Sequence, residues 1–408
     1  MSSNRKSRIP FCDSLPSDWD EIPNRYIFYR HSRKVGDKSN CYQLLSLTTQ
    51  GVKQKDINAA GGKVPKNYDN YQTVEKNDMI FCLFDLDCSA VFSGLSKYDG
   101  MITSAYNVFG VNNDYADNSY LNYWFQFVFS NRYYKMFSKS IRYTVTEDNF
   151  KMQYTPIPPI VEQVKIGEYL DGKIKKIDTL IANQQQQIEK LKQYKQSLIT
   201  EVVNKGLDRN VAMKDSGIDW AVKIPKNWRI AKLKMICSMQ SGNNITSNQI
   251  NPNEGRYPVY GGNGFRGYYD KYNIEGERCI IGRQGALAGN VHYVTGQYWA
   301  TDHAVVVTPK GEVTNEYLYY VLIAMNLNRY AYETAAQPGL AVSKVENLLV
   351  PFPAQINEQK KIVSFIKKRC YDIDELVNVK LSKIEKLNQY KKSLIYEYVT
   401  GKKRVPEA

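Results

Sequence analysis

Apolar residues recur in alternating steps of three and four along two stretches of the chain. The first seam runs Leu170, Ile174, Ile177, Ile181, Gln184, Ile188, Leu191, Lys195, Leu198, Val202. The second runs Ile366, Cys370, Ile373, Val377, Lys380, Ile384, Leu387, Lys391, Leu394, Tyr398. Such spacing, sustained over more than four heptads, predicts two long coiled-coil helices. Every position of the second seam lies 196 residues after its counterpart, and the polar interruptions fall at the same two places. Residues 188–203, IEKLKQYKQSLITEVV, return at 384–399 as IEKLNQYKKSLIYEYV, identical at 12 of 16 positions. One half of the chain is therefore a copy of the other, and two matching rods in one chain most simply pair with each other. At ~1.5 Å per residue, some 40 residues make a rod of about 60 Å.

Each rod follows a proline-rich exit, PIPPIVEQ at 156–163 and PFPAQINEQ at 351–359, the second slipped by one residue. Clustered prolines cannot continue a preceding helix but fit a first helical turn, so these are domain exits and helix starts. Before each rod lies a segment of short, mixed apolar runs broken by Gly, Asn and Asp, the pattern of an α/β unit with short strands. Strands are predicted at 79–84, 105–110 and 300–309, and helices at 120–129 and 316–326, the aromatic stripe of the former being core. The pair Leu15-Pro16 with Trp19 returns as Ile224-Pro225 with Trp228, so the duplication includes the domain entrances. The domain plan is 1–155, a globular unit; 156–206, a long helix; 207–350, a second globular unit; 351–401, a second long helix; and 402–408, a tail.

Composition narrows the function classes. The formal net charge is +14, and 32 tyrosines bring the aromatic content to 12%. These favour a polyanionic partner, although an AT-rich genome also yields basic proteins. The seven cysteines, among them Cys88, form no CxxC pair and the only histidines are His31, His292 and His303, so a zinc site is not expected and reduced thiols fit a cytosol. The chain has neither an apolar run of ~18 residues nor an apolar leader at its N-terminus, so no membrane contact is expected and the default compartment is cytoplasmic.

Catalytic motifs are missing: no phosphate loop, no nucleophile elbow, no HExxH and no Asn-Pro-Pro-aromatic motif. The run GGNGFRG at 261–267 leads into Tyr268 and Tyr269 rather than a helix, which argues against a dinucleotide fingerprint. Its glycines instead let backbone approach backbone closely. Asp302 stands near His292 and His303, but satisfied structural histidines are the simpler reading. Asp171 in the sequence DGK is predicted within a helix and lacks the second carboxylate a nuclease would need.

The layout of globular unit, long helix, globular unit, long helix resembles the specificity subunit of type I restriction-modification systems. The resemblance rests on the two IEKLxQYKxSLI copies, the two proline exits, the IPKNW entrance at 224–228, and the phrases at 94–106 and within 260–307, and it covers essentially the whole chain. It implies two target recognition domains joined by two long antiparallel helices forming an intramolecular coiled coil with pseudo-twofold duplication. Each domain would read half of a bipartite site in double-stranded DNA. The helical spacer would set the distance and dock two methyltransferase subunits, with two motor-nuclease subunits beyond them. S-adenosylmethionine, ATP and Mg would belong to those partners, with no cofactor on this chain and no catalytic residue in it.

Within such domains, base edges are read by Arg, Lys, Asn or Gln from loops. The candidates are Lys97 and Tyr98 in the first domain and Asn263, Arg266, Arg283, Gln284 and Lys344 in the second, each of which also fits a solvated turn. The candidates for helix pairing and partner docking are Ile177, Ile181, Ile188, Leu191, Leu198, Ile373, Val377, Ile384, Leu387 and Leu394. The rival readings are a coiled-coil adaptor without a DNA role and a stand-alone methyltransferase or nuclease with unfamiliar motifs.

Overall fold

The computed structural model describes residues 4–56, 67–86, 89, 91–138, 143–285, 287–334 and 337–406. Cys88 lies outside them. The fold is mixed α/β with two long helices, Ile160–Lys205 and Ile356–Val399, of 46 and 44 residues. Two compact units result: residues 1–184 with 382–408, and residues 185–381. Each long helix therefore contributes to both units, a division that follows packing rather than chain order.

Within the first unit, Asp178 of the first helix accepts from Lys391 of the second at 2.8 Å, and the Tyr169 ring packs tilted against that of Tyr398 with centroids 4.8 Å apart. Climbing one helix means descending the other, so this segment pair is antiparallel. In the second unit Lys195 bonds Asp374 at 2.7 Å and Lys380 bonds Gln187 at 2.6 Å, again antiparallel. Asp178 and Asp374 are 196 residues apart, as are Lys195 and Lys391, so one interaction is written twice. All twenty seam positions are buried or half-buried. The exposed ion pairs contribute ~0.2–1 kcal/mol each, whereas one buried Leu or Ile contributes roughly 1.5–3 kcal/mol. The lysines at the seam thus select register, and the apolar residues hold the helices together.

The helix starts explain the proline exits. Residues 156–157 and 351–352, assigned by sequence to the rods, are in fact strand: Tyr154–Ile157 pairs with Asp20–Pro23, and Leu349–Phe352 pairs with Arg229–Lys232, both antiparallel. Entrance and exit of each globular part are zipped together before the helix begins. In the first turn, Glu162 accepts from the indole of Trp19 at 3.2 Å and Glu358 from that of Trp228 at 2.9 Å. The next residue, Gln163 or Gln359, is fully buried. Gln163 donates to the carbonyls of Pro158 and Tyr115 and accepts from the Asp117 N–H at 2.8 Å. Gln359 donates to Pro353 and Glu312 and accepts from the Thr314 N–H at 3.0 Å. Asp117 and Thr314 are the N-caps of Asn118–Ser130 and Asn315–Ala324, so each glutamine ties a rod to the domain's own helix. The one-residue slip between the exits is absorbed here, since Pro158 and Pro353 supply the same carbonyl at spacings of five and six. Each rod ends before a left-handed glycine, Gly206 (φ 71°) or Gly401 (φ 67°), the usual helix stop.

Both globular parts contain the same four-stranded antiparallel sheet. Its order is Phe28–Tyr29, Asn107–Val111, Met79–Phe81, Ser93–Leu95 in the first unit, and Cys237–Ser241, Ala304–Pro309, Arg278–Gly282, Val291–Val294 in the second. The helices Asn118–Ser130 and Asn315–Ala324 bury their aromatic and aliphatic faces in these cores, which run on into the rod segments through Leu170, Ile174 and Leu394 in one unit and Val202, Ile366 and Cys370 in the other. The strand predicted at 300–309 is two strands, Gln297–Ala300 and Ala304–Pro309, in different sheets. A turn closed by Ala304 N–H to Thr301 O at 3.0 Å breaks it. The predicted strand at 79–84 stops at Phe81, and that at 105–110 occupies Asn107–Val111. The second unit adds a sheet absent from the described part of the first, ordered Gly264–Tyr269, Tyr257–Gly261, Gln297–Ala300, Ile274–Glu275.

Replacing Gln163 by Leu removes one buried and two part-buried hydrogen bonds, at a cost of ~1–3 kcal/mol for each group left buried without a partner. Chemical denaturation of Gln163→Leu should show a loss of at least about 2 kcal/mol, against under ~1 kcal/mol for Asp178→Asn. Equal losses would remove the glutamine from this role.

Candidate nucleic-acid interface

Tyr257–Gly261 and Gly264–Tyr269 form a hairpin whose connecting residues are Gly262 and Asn263. The glycines permit contact that no side chain would allow. A Cβ on Gly282 would strike the Gly262 carbonyl, and one on Gly262 would lie 3.1 Å from His303 O, 3.4 Å from Gln284 O and 3.7 Å from Arg283 N. The hairpin tip therefore rests on the 283–284 loop and the 301–303 turn. That loop is fixed in turn: Arg283 N–H donates to His303 O at 2.9 Å, Leu340 N–H donates to Arg283 O at 2.8 Å, and Gln284 bridges Gly339. The result places Asn263, Arg266, Arg283, Gln284 and His303 together, all exposed, on one backbone-bonded platform.

Among the described residues neither Arg266 nor Arg283 makes an ion pair, and Arg283 donates to Ser241 Oγ at 3.3 Å. Lys344 is exposed on the short helix Val342–Val345, whose lead-in at 339–340 is the strand bonded to Arg283 and Gln284. It is on an adjoining segment rather than on the tip. Lys97 and Tyr98 belong to the other unit, exposed in the turn between Ser93–Leu95 and Gly100–Ile102. That turn is held from within: buried Ser96 donates from Oγ to Tyr98 O at 2.7 Å, and the Lys76 N–H donates to Asp99 at 2.8 Å. Behind it Asp78, itself bonded to His31 at 2.8 Å, has a carboxyl raised by burial, the largest influence on it. Both groups of side chains are thus exposed on rigid backbone, the arrangement that reading base edges requires.

The other chemistry raised by the sequence resolves into structure. Asp171 accepts from Tyr123 Oη at 2.5 Å and from Ser119 Oγ at 3.1 Å, fastening rod to domain. His303 stands 3.9 Å from Asp302 with both side chains about half exposed. No group of three or more His, Cys, Asp or Glu capable of holding a metal occurs among the described residues. No helix among them is long and apolar enough to cross a membrane.

A protein-family profile described as the type I restriction modification DNA specificity domain matches residues 225–386. Residues 225–386 thus resemble the DNA specificity domain of type I restriction-modification systems. The match takes in the hairpin, the platform and most of the second rod. Relatives include the EcoprrI specificity subunit of Escherichia coli, 42% identical over 136 residues, covering 33% of each chain. The MjaVIII specificity subunit of Methanocaldococcus jannaschii is 23% identical over 276 residues, covering 61% of this chain and 62% of that one. The chain thus spans less than two thirds of the length of these curated relatives. A solved chain from work on complex assembly and conformational transition of the type I R-M system shares the fold, with TM-score 0.71, 14% identity, and coverage of 95% of this chain and 99% of that one.

Sequence reasoning missed Phe265 in this region and read His292 as a satisfied structural histidine, which it is not. Phe265, beside Arg266, is 51% exposed at the hairpin tip, where an apolar residue in a strand pattern reads as core. His292 lies beneath the hairpin: a Cβ on Gly264 would sit 3.0 Å from its Cε1, and its Nε2 is buried without a partner. Burial pulls its pKa below the ordinary value, so the neutral ring is the one the fold accommodates. The folded-state pKa lies below the unfolded one, so the stability this confers is present above about pH 6.5 and is lost as pH falls. In urea titrations the wild type should lose stability relative to His292→Phe between pH 7.5 and 5, at no more than about 1.4 kcal/mol per pH unit. A constant difference would mean that the ring does not titrate there.

Proposed function

We propose that the chain is the DNA-reading and scaffolding subunit of a type I restriction-modification complex and works in the cytoplasm. Each unit reads one half of a bipartite site in double-stranded DNA, and the long helices set the distance between halves. The observation that carries this reading is the duplicated architecture: the same sheet and the same glutamine-locked rod in both units, with a family match that spans reader and rod. A helix of 46 residues extends about 69 Å at ~1.5 Å per residue, enough to separate two readers by more than the ~34 Å of one DNA turn.

Two methyltransferase subunits dock on the rods, and two motor-nuclease subunits join through them. Methyl transfer from S-adenosylmethionine and ATP- and Mg-dependent cleavage take place on those partners. Off the seam, Leu180 and Leu376 are 45% and 52% exposed, and Tyr194 and Tyr390 are 56% and 55% exposed. Each pair is related by the 196-residue offset. Apolar groups left in water at equivalent positions of both copies suit two identical partners, each burying one set.

The test is methylation by purified proteins with labelled S-adenosylmethionine, followed by long-read methylome sequencing of a host carrying the subunit and its methyltransferase. Methylation should require both proteins and fall on a motif of two short halves separated by unspecified bases. Transfer by this chain alone, or a single uninterrupted motif, would contradict the proposal.

A further inference from the structure

The pairing of the hairpin shifts register between Val259 and Tyr260: Tyr260 faces Phe265, whereas Val259 faces Gly267. Arg266 is therefore the extra residue of a β-bulge, and the strand's alternation is interrupted there. Phe265 and Arg266 are both exposed where a regular strand would hide one of them, while Gly264 and Gly267 on either side are buried. Those glycines have φ of 86° and 137°. A Cβ on Gly267 would meet Asn251 O at 2.5 Å, and Asn251 and Tyr268 exchange backbone hydrogen bonds of 3.0 and 2.7 Å. The bulge is therefore fixed by backbone. The ring is fixed as well, edge to face with Tyr268 and Tyr260 at centroid distances of 5.1 and 6.1 Å.

An immobilised phenyl ring exposed beside an unpaired guanidinium and an asparagine has a definite complement. In the major groove guanine offers two acceptors to Arg, adenine a donor and an acceptor to Asn, and thymine a 5-methyl group to an apolar side chain. We propose that Phe265 is a specificity-determining residue that reads a thymine methyl, next to a base pair contacted by Arg266. This rests on the reading of the second unit as a DNA-recognition domain. Part of the ordering cost is met before DNA arrives, because aromatic neighbours flank the ring and hydrogen bonds hold the backbone.

The test uses the complex of the subunit with its methyltransferase and duplexes carrying its motif, in which each thymine of both half-sites is replaced singly by uracil. Uracil keeps the base pair and removes only the methyl. One replacement should weaken binding about fourfold, the worth of one buried methyl. Phe265→Ala should show the same loss on the thymine duplex and no further loss on the uracil one, while Phe265→Leu retains most of the discrimination. Overturning results are binding indifferent to every uracil, a half-site pair without any A·T, or equal uracil sensitivity in Phe265→Ala and wild type. A complex that prefers no bipartite sequence would instead remove the underlying reading of the domain.

Discussion

A buried glutamine in the first turn of each long helix is the constraint on which the architecture depends. Gln163 and Gln359 have no exposed surface, and each makes three hydrogen bonds to backbone that would otherwise be orphaned. With the neighbouring carboxylates holding Trp19 and Trp228, they fix both where the helix starts and its direction relative to the domain core. A helix joined to its domain by a flexible segment could not transmit a distance. One that shares a core and a hydrogen-bond network with it can.

Above that constraint, the molecule separates what must be equal from what must differ. The seams, the reciprocal Asp–Lys pairs, the caps and the central sheets are repeated between the units. The glycine-rich hairpin, its bulge and its platform occur in the second unit, where the added sheet carries them. Among the described residues, the difference lies in that added sheet and the exposed side chains it carries, built on a central sheet common to both units.

Much of the frame is legible in the sequence because helical periodicity and an offset of 196 residues are local signals that accumulate over many turns. The role of the Glu-Gln pair is not, since its partners at Trp19, Tyr115 and Asp117 lie some 46 to 143 residues away. The common sheet is hidden for the same reason: strands of two to six residues carry little pattern, and one run of apolar residues at 300–309 serves two sheets. In the candidate interface, loop chemistry alone singled out Asn263, Arg266, Arg283 and Gln284, which the glycine contacts bring together. It missed Phe265, whose exposure comes from a bulge, a one-residue register shift that depends on Asn251 and Gly267.

The central claim is that the paired helices measure the distance between two DNA readers. It is tested most directly by deleting one heptad from each long helix at positions opposite one another, expressing the variant with its methyltransferase, and sequencing the methylome. The account predicts the same two half-sites with a shorter unspecified spacer between them. Methylation of the original motif with its spacer unchanged would contradict it.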